Sequence, residues 1–295
     1  MAIFFYIFCT LFLHSALFAQ DPGIQRLATE LQNSNTAIRR KAAIGLGQVS
    51  QPQSVRLLRN AFSIERQTSI RLEIVRALSN IAFLRYPGYR DALGALGDAA
   101  NEAIESDELV RLRATEALWE AGKKDLLDPV PFLERNLTDS SQHLRLAAVK
   151  MLRKLGTPEA VPSLGKAALD KTQSATIRLK AIEALGAVSL TDLGPAGRQV
   201  AEANLNVANR LGSLPVLDLK ALERRHELQI GYLATVVRDP NNSNTLVLRA
   251  IKSIGQIKDK SSIPVLREAI ETHPSSTVRK QAIRVLSHVL ARQYE

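Results

Sequence analysis

Cysteine is almost absent from this chain: the single one, Cys9, lies within the first 19 residues. Beyond that run there is therefore no disulfide, no thiolate nucleophile and no cysteine-ligated metal. Charge is missing from the same opening run. Residues 1–19, MAIFFYIFCTLFLHSALFA, hold no Asp, Glu, Lys or Arg and are dominated by Phe, Leu, Ile and Ala. With the polar break Gln20-Asp21-Pro22-Gly23 behind it, the run reads as a secretory signal peptide cleaved near Ala19. It departs from the usual pattern in two ways. No basic residue precedes the apolar core, and Leu17 stands where a small residue is usual. The alternative is an uncleaved anchor, but the run is short against the ~20 apolar residues that cross a bilayer. The residues before Cys9, Tyr6-Ile7-Phe8, are not the small ones that lipid attachment needs.

Other absences bear on chemistry. Aromatics make up 5% of the chain, and after the leader only Phe62, Phe83, Tyr86, Tyr89, Trp119, Phe132, Tyr232 and Tyr294 remain. Single-stranded nucleic acid is normally held by stacking on aromatic rings, so this scarcity argues against it. There is no Gly-x-Ser-x-Gly, no phosphate-cradling glycine loop and no His-x-x-x-His pair. His143, His226, His273 and His288 lie far apart, and His226-Glu227 is read as an exposed pair on a helix. Asp107-Glu108 reads as a helix cap rather than an acid–base pair. The expectation is a chain that is not an enzyme, with no cofactor and no metal site.

What is present is positive charge and a repeat. The formal net charge is +10 with a pI near 9.9, which favours acidic partners: nucleic acid, anionic lipid or polysaccharide, or an acidic protein. A short phrase, apolar–Arg–x–x–apolar, starts at Ile38, Ile70, Val110, Leu144, Ile177 and Val278, and at Leu246 with Val247 in place of the Arg. The starts are 32, 40, 34, 33, 69 and 32 residues apart. Apolar residues at steps 0, 4 and 8 of each phrase fall on one face of a helix. Ahead of the phrases lie shorter helical patterns, clearest at Val55–Phe62, Val161–Leu169 and Ile263–Ile270, opened by Pro52, Pro158 and Pro264. Polar turns such as Thr138–Ser141, Lys171–Ser174 and Pro240–Ser243 supply N-caps for the phrase helices. No stretch alternates with the period of a strand. The chain is all-α, built of helical hairpins that must stack to bury their apolar stripes.

Two places break the period. Leu84–Asp98 adds about six residues to the usual spacing by the repeat arithmetic. Between Ile177 and Leu246 the interval suits two units but holds one phrase fewer, leaving 189–243 irregular. It reads as a helix near Pro195–Leu211, a break at Gly212–Pro215 and a long helix from about Leu217 to Arg238, a degenerate unit merged with the next.

On the residues LGTPEAVPSLGKAALD followed by IRLKAIEALG, the chain resembles HEAT repeats, in particular the short bacterial form of the phycobilin lyases. The resemblance covers nearly all of residues 20–295 and implies a right-handed, armadillo-like α-solenoid of about seven to eight units. It places the phrase helices on a concave face and the shorter helices on the convex one. It also implies a ladder in which each phrase Arg meets an Asp six residues earlier. Asp139–Arg145 keeps that pair, while Arg178 has its nearest acid, Asp170, eight residues before it.

Steps 3 and 6 of the phrases then face the concavity. Arg113, Lys150, Lys180, Arg249, Lys252 and Arg284 stand there, with Lys154 nearby, and make the later repeats the more basic. Two readings of this row remain: an ordinary solvated helix face, or a basic trough for an acidic partner. The leucines at step 2, Leu72, Leu112, Leu146, Leu179 and Leu248, either pack between units or form an apolar strip along the groove. Trp119, just after Leu118, is read as core rather than as a base-stacking residue. The function expected is an exported, periplasmic or secreted, scaffold binding another protein through its groove. The alternatives are nucleic-acid or other polyanion binding, and a lyase or hydrolase on the same fold. N-terminal sequencing of the exported protein should begin at Gln20; a chain still beginning at Met1 contradicts cleavage.

Overall fold

The computed structural model describes residues 21–49, 51–188 and 219–291, with side chains at 219–225 left undescribed. The leader and the Pro195–Leu211 helix lie outside the described residues. Every regular element among those described is helical. The chain divides into two compact units, Met1–Ala99 and Ala100–Glu295.

The first unit holds α1 (Pro22–Glu30), α2 (Thr36–Leu46), α3 (Pro52–Ile64), α4 (Thr68–Phe83) and α5 (Tyr89–Ala99). Helices α2 and α4 carry the first two phrases and pack on each other, while α1 lies against α2 and α3 and α5 against α4. The second unit holds α6 (Glu108–Lys123), α7 (Val130–Asn136), α8 (Gln142–Leu155), α9 (Ala160–Leu169) and α10 (Ala175–Ala187). After the irregular interval come α11 (Leu219–Arg238), α12 (Asn244–Ile257), α13 (Ile263–Thr272) and α14 (Ser276–Ala291). Here the phrase helices α6, α8, α10, α12 and α14 stack in sequence as one layer. The shorter helices α7, α9, α11 and α13 pack behind them as a second layer.

Local chemistry sets these bounds. Ser141, Ser174 and Ser243 accept amide hydrogens from the first turns of α8, α10 and α12, and Asp107 does the same for α6. Pro52, Pro131 and Pro264 sit in the first turns of α3, α7 and α13, where a missing N–H costs nothing. Helix α8 ends at Gly156, which takes the left-handed conformation at φ 63°. The apolar stripe is buried as its spacing requires: Ala114, Ala148, Ala181, Ala250 and Ala282 at step 4 are fully enclosed, as are Leu118, Leu152, Leu185 and Ile254 at step 8.

Step 9 fixes how closely neighbours approach. A Cβ on Gly186 would stand 2.6 Å from Cβ of Ser253, and one on Gly255 would stand 2.8 Å from Cγ1 of Val285. In the first unit a Cβ on Gly47 would meet Cα of Ala77 at 2.7 Å. Each pair joins step 9 of one phrase to step 7 of the next, so glycine there lets the helices lie close. In α6 that step is Trp119.

The phrase arginines bind the units. Arg111 Nη1 donates to the carbonyls of Glu105 and Ser106, holding its own turn, at 3.0 and 2.8 Å. Its Nε and Nη2 reach forward to Oδ2 and Oδ1 of Asp139 at 2.9 and 2.8 Å. Arg39 repeats the arrangement in the first unit, on the carbonyls of Asn33 and Ser34 and on the carboxylate of Glu65. This corrects the expected pairing of Asp139 with Arg145. The Asp139 carboxylate belongs to the arginine of the preceding phrase, while Arg145 Nη1 takes the Asp139 and Ser140 carbonyls. The physical reason is reach: a guanidinium folded over its own turn meets carbonyls, and the next turn's carboxylate lies beside its outer edge. Arg178 does not pair with Asp170; it donates to the Ala168 carbonyl at 3.0 Å and to Oδ1 of Asn242 at 2.7 Å.

Arg111 and Asp139 are only 3% and 4% exposed. Removing one member of a buried pair leaves an uncompensated charge, so Arg111→Ala should cost about 3–5 kcal/mol. Arg145→Ala, which orphans no carboxylate, should cost about 1 kcal/mol. Urea titration of the two variants checks the difference.

Candidate partner-binding face

The layer of phrase helices in the second unit presents one continuous side-chain surface, and the groove residues expected from sequence map onto it unevenly. Lys150, Lys252 and Arg284 are exposed and have no ion-pair partner among the described residues. Arg113 is held by Glu116 on its own helix at 2.7 Å. Lys180 Nζ lies 2.8 Å from Oε2 of Glu183, and Arg249 Nη1 reaches Oε1 of the same carboxylate at 2.9 Å. Glu183 thus ties α10 to α12 across the face. Burial pushes its carboxyl up, but the Lys180 hydrogen bond and the charges of Arg249, Lys180 and Arg153 outweigh that and hold it below the ordinary value.

Composition sharpens the asymmetry. Helices α8, α10, α12 and α14 contain Arg145, Lys150, Arg153, Lys154, Arg178, Lys180, Arg249, Lys252, Arg279, Lys280 and Arg284. Their single carboxylate is Glu183, and they carry no Phe, Tyr or Trp. The other acids of this unit sit on the first phrase helix, α6, as Glu108, Glu116 and Glu120, on outer helices as Glu134 and Glu268, or in turns as Asp139, Asp170 and Asp259. Several are already matched there: Lys166 with Glu134 at 2.8 Å, and Arg238 with Glu268 at 2.7 Å.

Trp119 stands apart from its sequence reading. It is half-buried and packs against the core, yet its ring also lies under two ammonium groups, Lys123 Nζ at 4.6 Å and Lys154 Nζ at 5.3 Å from the centroid. Lys154 is therefore engaged by an aromatic face. The step-2 leucines are half-buried, and Leu179 and Leu248 pack against the core, so no exposed apolar strip runs along them.

His226 does not form the exposed pair with Glu227. Its Nδ1 lies 3.1 Å from Oδ2 of Asp259, whose other oxygen, Oδ1, accepts from the amide and hydroxyl of Ser261. A link spanning that many residues has no sequence signal. Asp107 caps α6, as expected. Among the described residues no group of three or more His, Cys, Asp or Glu could hold a metal ion. No described helix is long and apolar enough to cross a membrane.

Stacked helical hairpins with buried arginine rungs define the protein as an α-solenoid. The HEAT-repeat family model matches residues 96–186 and 233–292, more than half of the chain, and the chain belongs to that family. No curated protein matches it at a significant level. Among solved structures it is similar to YibA of Escherichia coli, at 14% identity and a TM-score of 0.45, covering 92% of this chain and 83% of that one. It is also similar to human deoxyhypusine hydroxylase in complex with glycerol, at 17% identity and a TM-score of 0.35, covering 91% and 96%. A third is the complex of CpcE and CpcF of phycocyanin lyase from Nostoc sp. PCC7120, at 18% identity and a TM-score of 0.37, covering 93% and 96%. The expectation that the chain is not an enzyme is corrected here. A hydroxylase and a lyase stand among the similar structures, so the repeat architecture leaves an enzymatic role open. The physical reason is that stacking brings together residues that lie far apart in sequence, which motif spacing does not reveal.

The carboxylate at the centre of the face gives the fold a pH dependence. Glu183, and likewise Asp259, where burial is outweighed by the Ser261 bonds and His226, are held low in the folded chain. Their stabilising contribution is complete above the unfolded values of about 4 and is lost as pH falls through the folded ones. Melting temperature should be level above about pH 5 and fall below about pH 4, with a shallower fall in Glu183→Gln; calorimetry across that range checks it.

Proposed function

We propose that this is an exported HEAT-repeat protein that binds an acidic segment of another protein along the phrase-helix face of its second unit. One observation carries the reading: four stacked helices contain eleven Lys and Arg, eight of them besides the turn-holding Arg145, Arg178 and Arg279, against the single carboxylate Glu183. Such a row attracts an anionic chain and speeds its encounter. Lys150, Lys252 and Arg284, which have no ion-pair partner among the described residues, supply the contacts, while Lys180 and Arg249, already bridged by Glu183, act more weakly.

The absence of aromatic rings on those four helices favours a polypeptide over single-stranded nucleic acid, whose bases need stacking surfaces. Export rests on the uncharged apolar run 1–19 and its polar break.

The test uses the protein lacking residues 1–19 and a fluorescein-labelled peptide of ten glutamates, read by anisotropy at two salt concentrations. Binding should weaken with salt, and reversal of Lys180, Arg249, Lys252 and Arg284 to Glu should weaken it at least about tenfold. An oligodeoxynucleotide of equal charge that binds more tightly than the peptide supports the polyanion alternative instead. If neither binds, the face is a solvated surface and the proposal fails.

A further inference from the structure

Between α12 and α14 the phrase-helix face opens into a cavity of about 350 Å³, lined by Lys252, Gly255, Gln256, Lys258, Gln281, Val285, His288 and Val289. Its chemistry is divided. Gly255, Val285 and Val289 give an apolar floor, two lysines give cations, a histidine gives a ring nitrogen, and two amides lie between. No carboxylate is among the described residues that line it. None of the three basic groups has an ion-pair partner among the described residues. The floor depends on Gly255, because a Cβ there would press within 2.8 Å of Val285 Cγ1.

The second observation is Lys258. It ends α12 in the left-handed conformation at φ 60°, at step 12 of its phrase; the same step after α8 is Gly156 at φ 63°. A side chain in that conformation costs about 1 kcal/mol relative to glycine. A lysine stands where the backbone favours glycine, and it stands on the lining of the cavity. Strain of this kind persists at sites where the side chain has a task.

We infer that this cavity holds the C-terminus of the bound polypeptide, with the terminal carboxylate on Lys252, Lys258 and His288 and an apolar last side chain on Val285 and Val289. Gln256 and Gln281 offer donors and acceptors to the last peptide group. A carboxylate on an apolar stem is the chemistry that both halves of the lining accept, whereas an internal acidic residue would leave the floor empty. The assignment rests on the acidic-partner reading above and specifies which end of the partner anchors it.

The probe is a fluorescein-labelled acidic hexapeptide ending in leucine, prepared as the free acid and as the C-terminal amide. The free acid should bind about tenfold more tightly, the scale of a charge-assisted hydrogen bond. Lys258→Gly should erase that advantage while its melting temperature stays level or rises, since glycine relieves the left-handed strain. That combination separates a binding role from a structural one. Equal binding of acid and amide overturns the pocket assignment and leaves the face reading standing; binding of neither overturns both. N-acetylleucine displacing the free acid as effectively as the unlabelled peptide would assign the cavity to small carboxylates and overturn the polypeptide assignment.

Discussion

A buried guanidinium that serves two turns at once is the contact on which the array depends. Arg39 and Arg111 each satisfy two carbonyls of their own turn and the carboxylate of the next, so a single side chain sets both the hairpin and its stacking register. Such a residue is hard to lose, because its removal strands the acid that faced it. The one phrase without an arginine shows the compensation. Val247 is fully buried in its place, and the residue six before the next phrase arginine is His273 rather than an acid. Burial and the charge of Arg279 push the His273 imidazole down, keeping it neutral. Both ends of that rung have lost their charge together.

The same division of labour explains the charge on the phrase-helix face. Turn acids pair with rung arginines at the edge of the array, and outer-helix acids pair with outer lysines and arginines. The cations on the exposed side of α8, α12 and α14 are left without opposing carboxylates, and only Glu183 intervenes. The basic surface is thus a consequence of where the acids have been used, not only of the net charge.

Much of this was legible in the sequence because a repeat states its core position by position. Steps 0, 4 and 8 named the buried stripe, and the polar turns named the caps, since both follow from the local geometry of one helix. The partner of Asp139 was not legible. A carboxylate six residues from Arg145 and 28 from Arg111 looks local, and only the stacking shows that the distant arginine has it. His226 with Asp259 and Lys154 over Trp119 were hidden for the same reason. Step 9 could have been read: Gly47, Gly186 and Gly255 recur there, and recurrent glycine in helices signals close approach. The remaining phrases place Ser79, Trp119, Arg153 and Ser287 at that step, and Trp119 is the largest of them.

The irregular interval between Ile177 and Leu246 looks in sequence like a place where the array degrades, yet the packing across it is continuous. Helix α10 stacks directly on α12 and α9 on α11, as any neighbouring units do. Gly186 meets Ser253 at the expected steps, and the Ser253 hydroxyl donates to the Ile182 carbonyl at 2.9 Å. Gln229 from α11 donates to the Leu185 and Val188 carbonyls, satisfying acceptors at the end of α10 that a helix terminus leaves open. Arg178 completes a rung to Asn242, an amide standing where other units have a carboxylate. The helices on either side of the interval are therefore direct neighbours in the stack. For the phrase-helix face this matters directly: Lys180 and Glu183 on one side of the interval touch Arg249 on the other, so the row of cations runs unbroken from α8 to the cavity beside α14.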